Sequence, residues 1–246
     1  MLLDVDGTLA PIVDNAAEAG VPEATRQLLI AISRRYGLLA CVSGRRASDA
    51  RAMVSIGTIA YIGSHGAELL KAGWTEAVLD PGLRSWMPQI AAFREEYDTT
   101  DLQRRRIRLE DKGAILAFHW RGARDEEAAR AAIDELAGHA TAAGLEVQWG
   151  RKVMEVRPPV AIDKGQGIAT LLHGRQVSTA LYAGDDITDL DAFRKLRQLQ
   201  ESGQVQRALC IGVRSEDGPV EIEREADLVI DGTAGMQSVL AALIPD

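Results

Sequence analysis

Three short apolar runs near the start of the chain each end on small or polar residues. Met1-Leu2-Leu3 leads into Asp4-Val5-Asp6-Gly7-Thr8, residues 38–42 into Ser43-Gly44-Arg45, and residues 59–62 into Gly63-Ser64-His65-Gly66. Between the first two lies a helix-length segment, residues 22–36, with a proline at its start and Gly37 just past its end, the punctuation of a helix. Apolar run, helix and apolar run in alternation predict βαβ units and a mainly parallel sheet covered by helices. Open sheets of this kind keep their chemistry at the carboxyl ends of the strands. The polar residues after each run are therefore expected on one rim. Only three residues precede Asp4, which limits the first strand to about four residues, short for a central strand.

Asp4 and Asp6 are two apart, so on a strand they would share a face, but a turn at Gly7 can rotate the second carboxylate away from the first. One carboxylate could then attack while its neighbour handles protons. The same five residues also suit a calcium loop or a polar turn. Ser43 with Gly44 suits a plain turn as well, and equally offers a hydroxyl and backbone N–H groups to a phosphate oxygen.

The rhythm changes in the middle of the chain. Residues 104–109, 113–121, 145–149 and 153–157 are predicted as strands of a second sheet, and residues 125–143 as an amphipathic helix covering one face of it. Alternation puts Leu116 and Phe118 on one face and His119 and Arg121 on the other, the latter mixed with Ile115 and Ala117; Glu155 and Arg157 oppose Met154 and Val156. A polar front on a small sheet suits a lid over a site, or an ordinary solvated face.

After Pro158-Pro159 the α/β alternation resumes. Asp163-Lys164-Gly165 opens a helix at 166–172, a strand follows at 179–183, and Gly184-Asp185-Asp186-Ile187-Thr188-Asp189 comes next. Four carboxylates, Asp185, Asp186, Asp189 and Asp191, fall within seven positions. Crowding them is costly unless a cation neutralises some of them, and Mg²⁺, with its few hard oxygen ligands, suits a site shared with the first strand. Asp189 and Asp191 also suit helix capping. Lys164 would balance charge beside such a site and aim a nucleophile.

Composition narrows the classes. With 246 residues, 46% hydrophobic and 26% charged, the chain has enough apolar surface for a core. No apolar stretch approaches the about 20 residues that span a bilayer, and no basic segment followed by an apolar run stands at the start. A cytoplasmic protein with no membrane partner is expected, with Cys41 and Cys210 as buried thiols. The net charge of −8 disfavours nucleic acid as a partner, and Arg104-Arg105-Arg106 reads as a solvated strand face. A monomer is expected.

The ordered stations Asp4/Asp6, Ser43, Lys164 and Asp185/Asp186 resemble the four motifs of the haloacid dehalogenase superfamily. The resemblance implies a Rossmann-like parallel sheet core over residues 1–65 and 160–246 with an inserted α/β cap over 66–159. More narrowly, residues 4–12, Gly63-Ser64-His65-Gly66, Leu109-Glu110-Asp111-Lys112, His119-Trp120-Arg121, Glu155-Val156-Arg157-Pro158 and residues 184–189 resemble the trehalose-6-phosphate phosphatase family. That family implies Mg²⁺-dependent hydrolysis of a sugar phosphate through an aspartyl-phosphate, with Asp4 as nucleophile and Asp6 as acid and then base. By the same resemblance Asp4, the Asp6 carbonyl and Asp185 hold the metal, Asp186 and Asp189 place its waters or Lys164, and Ser43, Gly44 and Lys164 grip the phosphate. Glu110, Lys112, Lys152 and Glu155 would bind the distal glucose, Arg45 and His65 would line the entrance, and hinges would lie near 66–73 and 157–161. A phosphomutase, a phosphatase for another sugar, and a non-catalytic sugar-phosphate sensor are the rival readings. Arg106 and Trp120 have no role in this scheme.

Overall fold

The short first run becomes the interior of a sheet. A computed structural model describes residues 1–13, 20–215 and 218–244. In it, strand β1 (Leu2–Asp4) is paired in parallel on both sides, with β2 (Ala40–Val42) and with β10 (Val177–Gly184). All three of its residues are buried, so ladder bonds on two sides and burial on two faces make up for its length.

Among the described residues the sheet has eight strands. From one edge, β12 (Leu228–Asp231), β11 (Val205–Arg214), β10, β1, β2 and β3 (Ala60–Gly63) run in parallel, and β4 (Glu68–Leu70) and β5 (Val78–Leu79) complete the order. β4 is antiparallel to β3. Alternation along β1 sends Leu3 to one face and Leu2 to the other. Leu3 joins a cluster with α1 (Glu23–Arg35), α2 (Ala47–Val54) and α10 (Gly232–Ala242), whose Leu29, Val54 and Leu240 are fully buried. Leu2 joins Ile168 of α7 (Lys164–Leu172), Phe193 of α8 (Asp189–Glu201) and Ile222 of α9 (Val220–Glu225). Asp4 has the parity of Leu2 and so faces α7 and α8. The thiols of Cys41 and Cys210 are buried in this core.

The chain divides into two compact units, one of Met1–Val78 with Ile162–Asp246 and one of Leu79–Ala161. The second unit holds a four-stranded antiparallel sheet in the order β6 (Arg108–Asp111), β7 (Leu116–His119), β9 (Val153–Arg157), β8 (Glu146–Gly150). Its short α3 (Pro81–Arg84) is followed by α4 (Met87–Tyr97), and α4 with α6 (Glu126–Ala142) covers one sheet face, where Ile90, Phe93, Ile133 and Leu136 pack on Phe118, Met154 and Val156. Trp120, 5% exposed, belongs to this core, which gives a packing role to a residue the sequence left unassigned.

One predicted strand is corrected here. Residues 100–104 form a short helix, α5 (Thr100–Arg104), Arg106 turns the chain with a φ of 58°, and the strand begins only at Arg108. The basic run is solvated, but at a helix end. Thr99 decides this by capping α5 through the Leu102 N–H.

Candidate active site

At the end of β1 the chain turns sharply, with the N–H groups of Leu9 and Ala10 both on the carbonyl of Val5. Gly7 takes a φ of 85°, and a Cβ there would lie 2.0 Å from an oxygen of Asp185. Only glycine lets this loop close against the second acidic cluster.

Asp163 caps α7 through the Gln166 N–H and fixes Lys164 as its first residue. The Lys164 ammonium is buried and sits 2.7 Å from Asp4 Oδ1 and 2.7 Å from Asp189 Oδ1. Asp189 is saturated: Oδ1 also accepts from the Tyr182 hydroxyl, and Oδ2 accepts from the Asp185 and Asp186 N–H groups at 3.0 and 2.9 Å. It therefore fixes the loop and the lysine. Asp185 is buried beside Thr8, whose hydroxyl donates to Oδ1 at 3.3 Å, whereas Asp186 is exposed and accepts the Ile187 N–H.

Three buried carboxylates share one ammonium, and the electrostatics follow from that shortage. Burial pushes Asp4 well above the ordinary carboxylate range, Asp189 and Asp185 add to the shift, and Lys164 opposes it. Burial and then Asp189 push Asp185 up to about 7. Burial alone would lower Lys164, but Asp189 and Asp4 outweigh it and raise it. Oxygens of Asp4, Asp185 and Asp189 lie within 4.8 Å of one another. With both Asp189 oxygens already engaged, Asp4 and Asp185 are the pair whose chemistry fits a hard divalent cation.

The second rim segment is tightly built. Ser43 is buried, its hydroxyl accepts from the Arg45 N–H at 3.1 Å, and its carbonyl accepts from the His65 N–H. A Cβ on Gly44 would lie 2.6 Å from the His65 ring, so the imidazole rests directly on that glycine. Arg45 turns its guanidinium onto Asp6. Glu68 of β4, buried, accepts the Ala47 N–H at 2.8 Å and so caps α2 from a neighbouring strand. Neither Glu68 nor Tyr182 is singled out by sequence reasoning. A lone carboxylate or hydroxyl inside an apolar run, as in Ala67-Glu68-Leu69 and Leu181-Tyr182-Ala183, is the signal that points to them.

In the second unit, Glu110 and Glu155 share the sheet face opposite α4 and α6, with Ala117 between them in register. Lys112 pairs with Glu155 at 2.8 Å, and His119 meets Glu110 at 2.8 Å. Hydrogen bonding to His119 lowers Glu110 to about 2. Lys152 is not brought to this group. It sits in the β8–β9 turn with a φ of 60° and pairs with Glu126 at the start of α6, the helix packed on the opposite face.

The model of the trehalose-phosphatase family matches residues 2–222 of this chain. A trehalose-phosphate phosphatase of Mycobacterium avium is 31% identical over 231 residues, covering 89% of this chain and 55% of that protein. Trehalose-phosphate phosphatase B of Arabidopsis thaliana is 30% identical, covering 80% and 56%. An uncharacterized glycosyl hydrolase of Mycobacterium tuberculosis is 34% identical over 80% of this chain, which spans only 15% of its length. The chain thus spans little more than half, or far less, of these relatives. Among solved structures, the C-terminal domain of trehalose-6-phosphate phosphatase from C. albicans superposes with a TM-score of 0.73 at 22% identity, covering 99% of this chain and 91% of that one. A haloacid dehalogenase-like hydrolase from Bacteroides thetaiotaomicron gives 0.64 at 15% identity, with 98% of each chain covered. The fold is that of the haloacid dehalogenase-like hydrolases.

Proposed function

The chain belongs to the trehalose-phosphatase family, and on that footing we propose that it hydrolyses trehalose 6-phosphate to trehalose and inorganic phosphate. The observation that carries the reading is Asp4, a buried carboxylate at a strand end, aimed by Lys164 and placed two residues from a second, half-exposed carboxylate, Asp6. Binding alone has no use for a nucleophile beside an acid.

Asp4 attacks phosphorus in line, the bond from phosphorus to the sugar oxygen breaks, and Asp6 gives that oxygen a proton. Water then attacks the aspartyl-phosphate, Asp6 takes its proton, and Asp4 is returned as phosphate leaves. Ser43, the Gly44 backbone and Lys164 hold phosphate oxygens throughout. Asp4, the Asp6 carbonyl and Asp185 would hold Mg²⁺, which would neutralise charge on the transferring group. Asp189 and Asp186 keep the loop and Lys164 in place. The second unit is read as the cap. Its polar sheet face, with Glu110, Lys112 and Glu155, hydrogen-bonds sugar hydroxyls, while Arg45 and His65 line the entrance on the first unit.

The test is phosphate release from trehalose 6-phosphate, glucose 6-phosphate, sucrose 6-phosphate and a mannose phosphate, with magnesium or chelator, beside Asp4→Asn. Magnesium-dependent preference for trehalose 6-phosphate that vanishes in Asp4→Asn is expected. Preference for another sugar phosphate would overturn the substrate, and no hydrolysis of any would overturn the reaction.

A further inference from the structure

The guanidinium of Arg45 lies on the Asp6 carboxylate as a fork, Nε to Oδ2 at 2.8 Å and Nη2 to Oδ1 at 2.7 Å. Both oxygens of Asp6 are thereby engaged. In that arrangement one acceptor site of each oxygen is committed to the guanidinium rather than to a leaving oxygen or a water.

The backbone of Arg45 is fixed on both sides, its N–H on the Ser43 hydroxyl at 3.1 Å and its carbonyl accepting the Ser64 N–H at 2.7 Å. Its side chain is a different matter. With 30% of the Arg45 side chain and 36% of the Asp6 side chain exposed, against 3% for Lys164, this pair is open to solvent where the lysine is locked between two buried carboxylates. A guanidinium fork matches a carboxylate and a phosphate equally well. A phosphate dianion entering a site this acidic needs a cation that can turn toward it.

We propose that Arg45 exchanges partners, passing from Asp6 to the substrate phosphate, so that phosphate entry itself releases Asp6 for proton transfer. Asp6 is then an internal competitor of the phosphate, and the two anions share one guanidinium. The inference rests on the reading that the Ser43 loop receives the phosphate.

Competition is measurable without turnover. Binding of inorganic phosphate, in magnesium-containing buffer, is compared by calorimetry for the wild type, Asp6→Asn, Arg45→Met and the double variant. Asp6→Asn is expected to bind phosphate about tenfold tighter than the wild type, and the same change in the Arg45→Met background to gain about twofold or less. The background comparison removes the general effect of deleting a negative charge. Equal gains in both backgrounds, no gain at all, or no phosphate binding by any of the four would overturn the exchange. If Arg45→Met does not fold, Arg45→Lys, which keeps the charge and loses the fork, is judged by the same criterion. Phosphate release from trehalose 6-phosphate by the same wild-type preparation separates the two ideas: its absence removes the proposed function, while the binding cycle still decides the exchange.

Discussion

Lys164 Nζ lies 2.7 Å from Asp4 Oδ1, a bond that ties the first residue of α7 to the last residue of β1. Buried ion pairs rarely repay their desolvation as stability, and a well-packed apolar pair is often as good. This one is better understood as the device that aims a nucleophile.

Lys164→Met leaves Asp4 and Asp189 buried without their cation. Such a change is expected to cost about 3–5 kcal/mol of stability, read by urea denaturation, and to abolish phosphate release. A variant as stable as the wild type would show that the three carboxylates do not depend on the ammonium.

The pH dependence of the metal-depleted protein follows from Asp185. Its folded value of about 7 stands above the ordinary 3.8, so across that window the folded form keeps a proton that the unfolded chain has released. The contribution of Asp185 to stability therefore falls as pH rises from about 4 to 7, and the raised Asp4 adds to the fall. With chelator, the midpoint of thermal unfolding should drop by about 5 °C between pH 5 and 8, magnesium should remove most of the drop, and Asp185→Asn should reduce it. A flat profile with chelator refutes it.

Gly7→Ala forces a side chain into a φ of 85° and against the Asp185 carboxylate. The expected loss is about 1–3 kcal/mol, together with a fall in phosphate release, since Asp185 must move. Gly37→Ala, where a Cβ would meet open space, is the matched control and should change neither.

On the second unit, His119 holds Glu110 down to about 2 against an ordinary 4.5. A depressed carboxylate contributes fully above pH 4.5 and loses its contribution as pH falls toward 2. Glu110→Gln should thus cost a little stability at pH 6, under about 1 kcal/mol because the pair is half exposed, and progressively less as pH falls through about 2. The same variant should raise KM for trehalose 6-phosphate with little change in kcat. A change confined to kcat would take Glu110 out of sugar recognition.

Much of the site was legible because its residues follow strand ends. Asp4, Ser43 and Asp185 each stand where an apolar run stops, and the loops they begin do gather on one unit. What could not be read was who bonds whom. Asp189 was equally a cap or a metal ligand in sequence; four donors on its two oxygens make it the anchor of Lys164 and the acidic loop. Arg45 was placed at the entrance, yet its fork closes on Asp6. Lys152, grouped with Glu155 by the family resemblance, faces away because the left-handed turn sends it to Glu126.

The sequence by itself determined the alternation of strands and helices, the end of each strand and the residue types set there, since these depend on period, punctuation and local chain direction. The tertiary structure alone decided which carboxylates remain available to a cation and which are consumed as hydrogen-bond acceptors. That difference arises from contacts between segments 160 or more residues apart, as between Asp4 and Lys164 or Thr8 and Asp185, and from burial that makes one ammonium serve three acids.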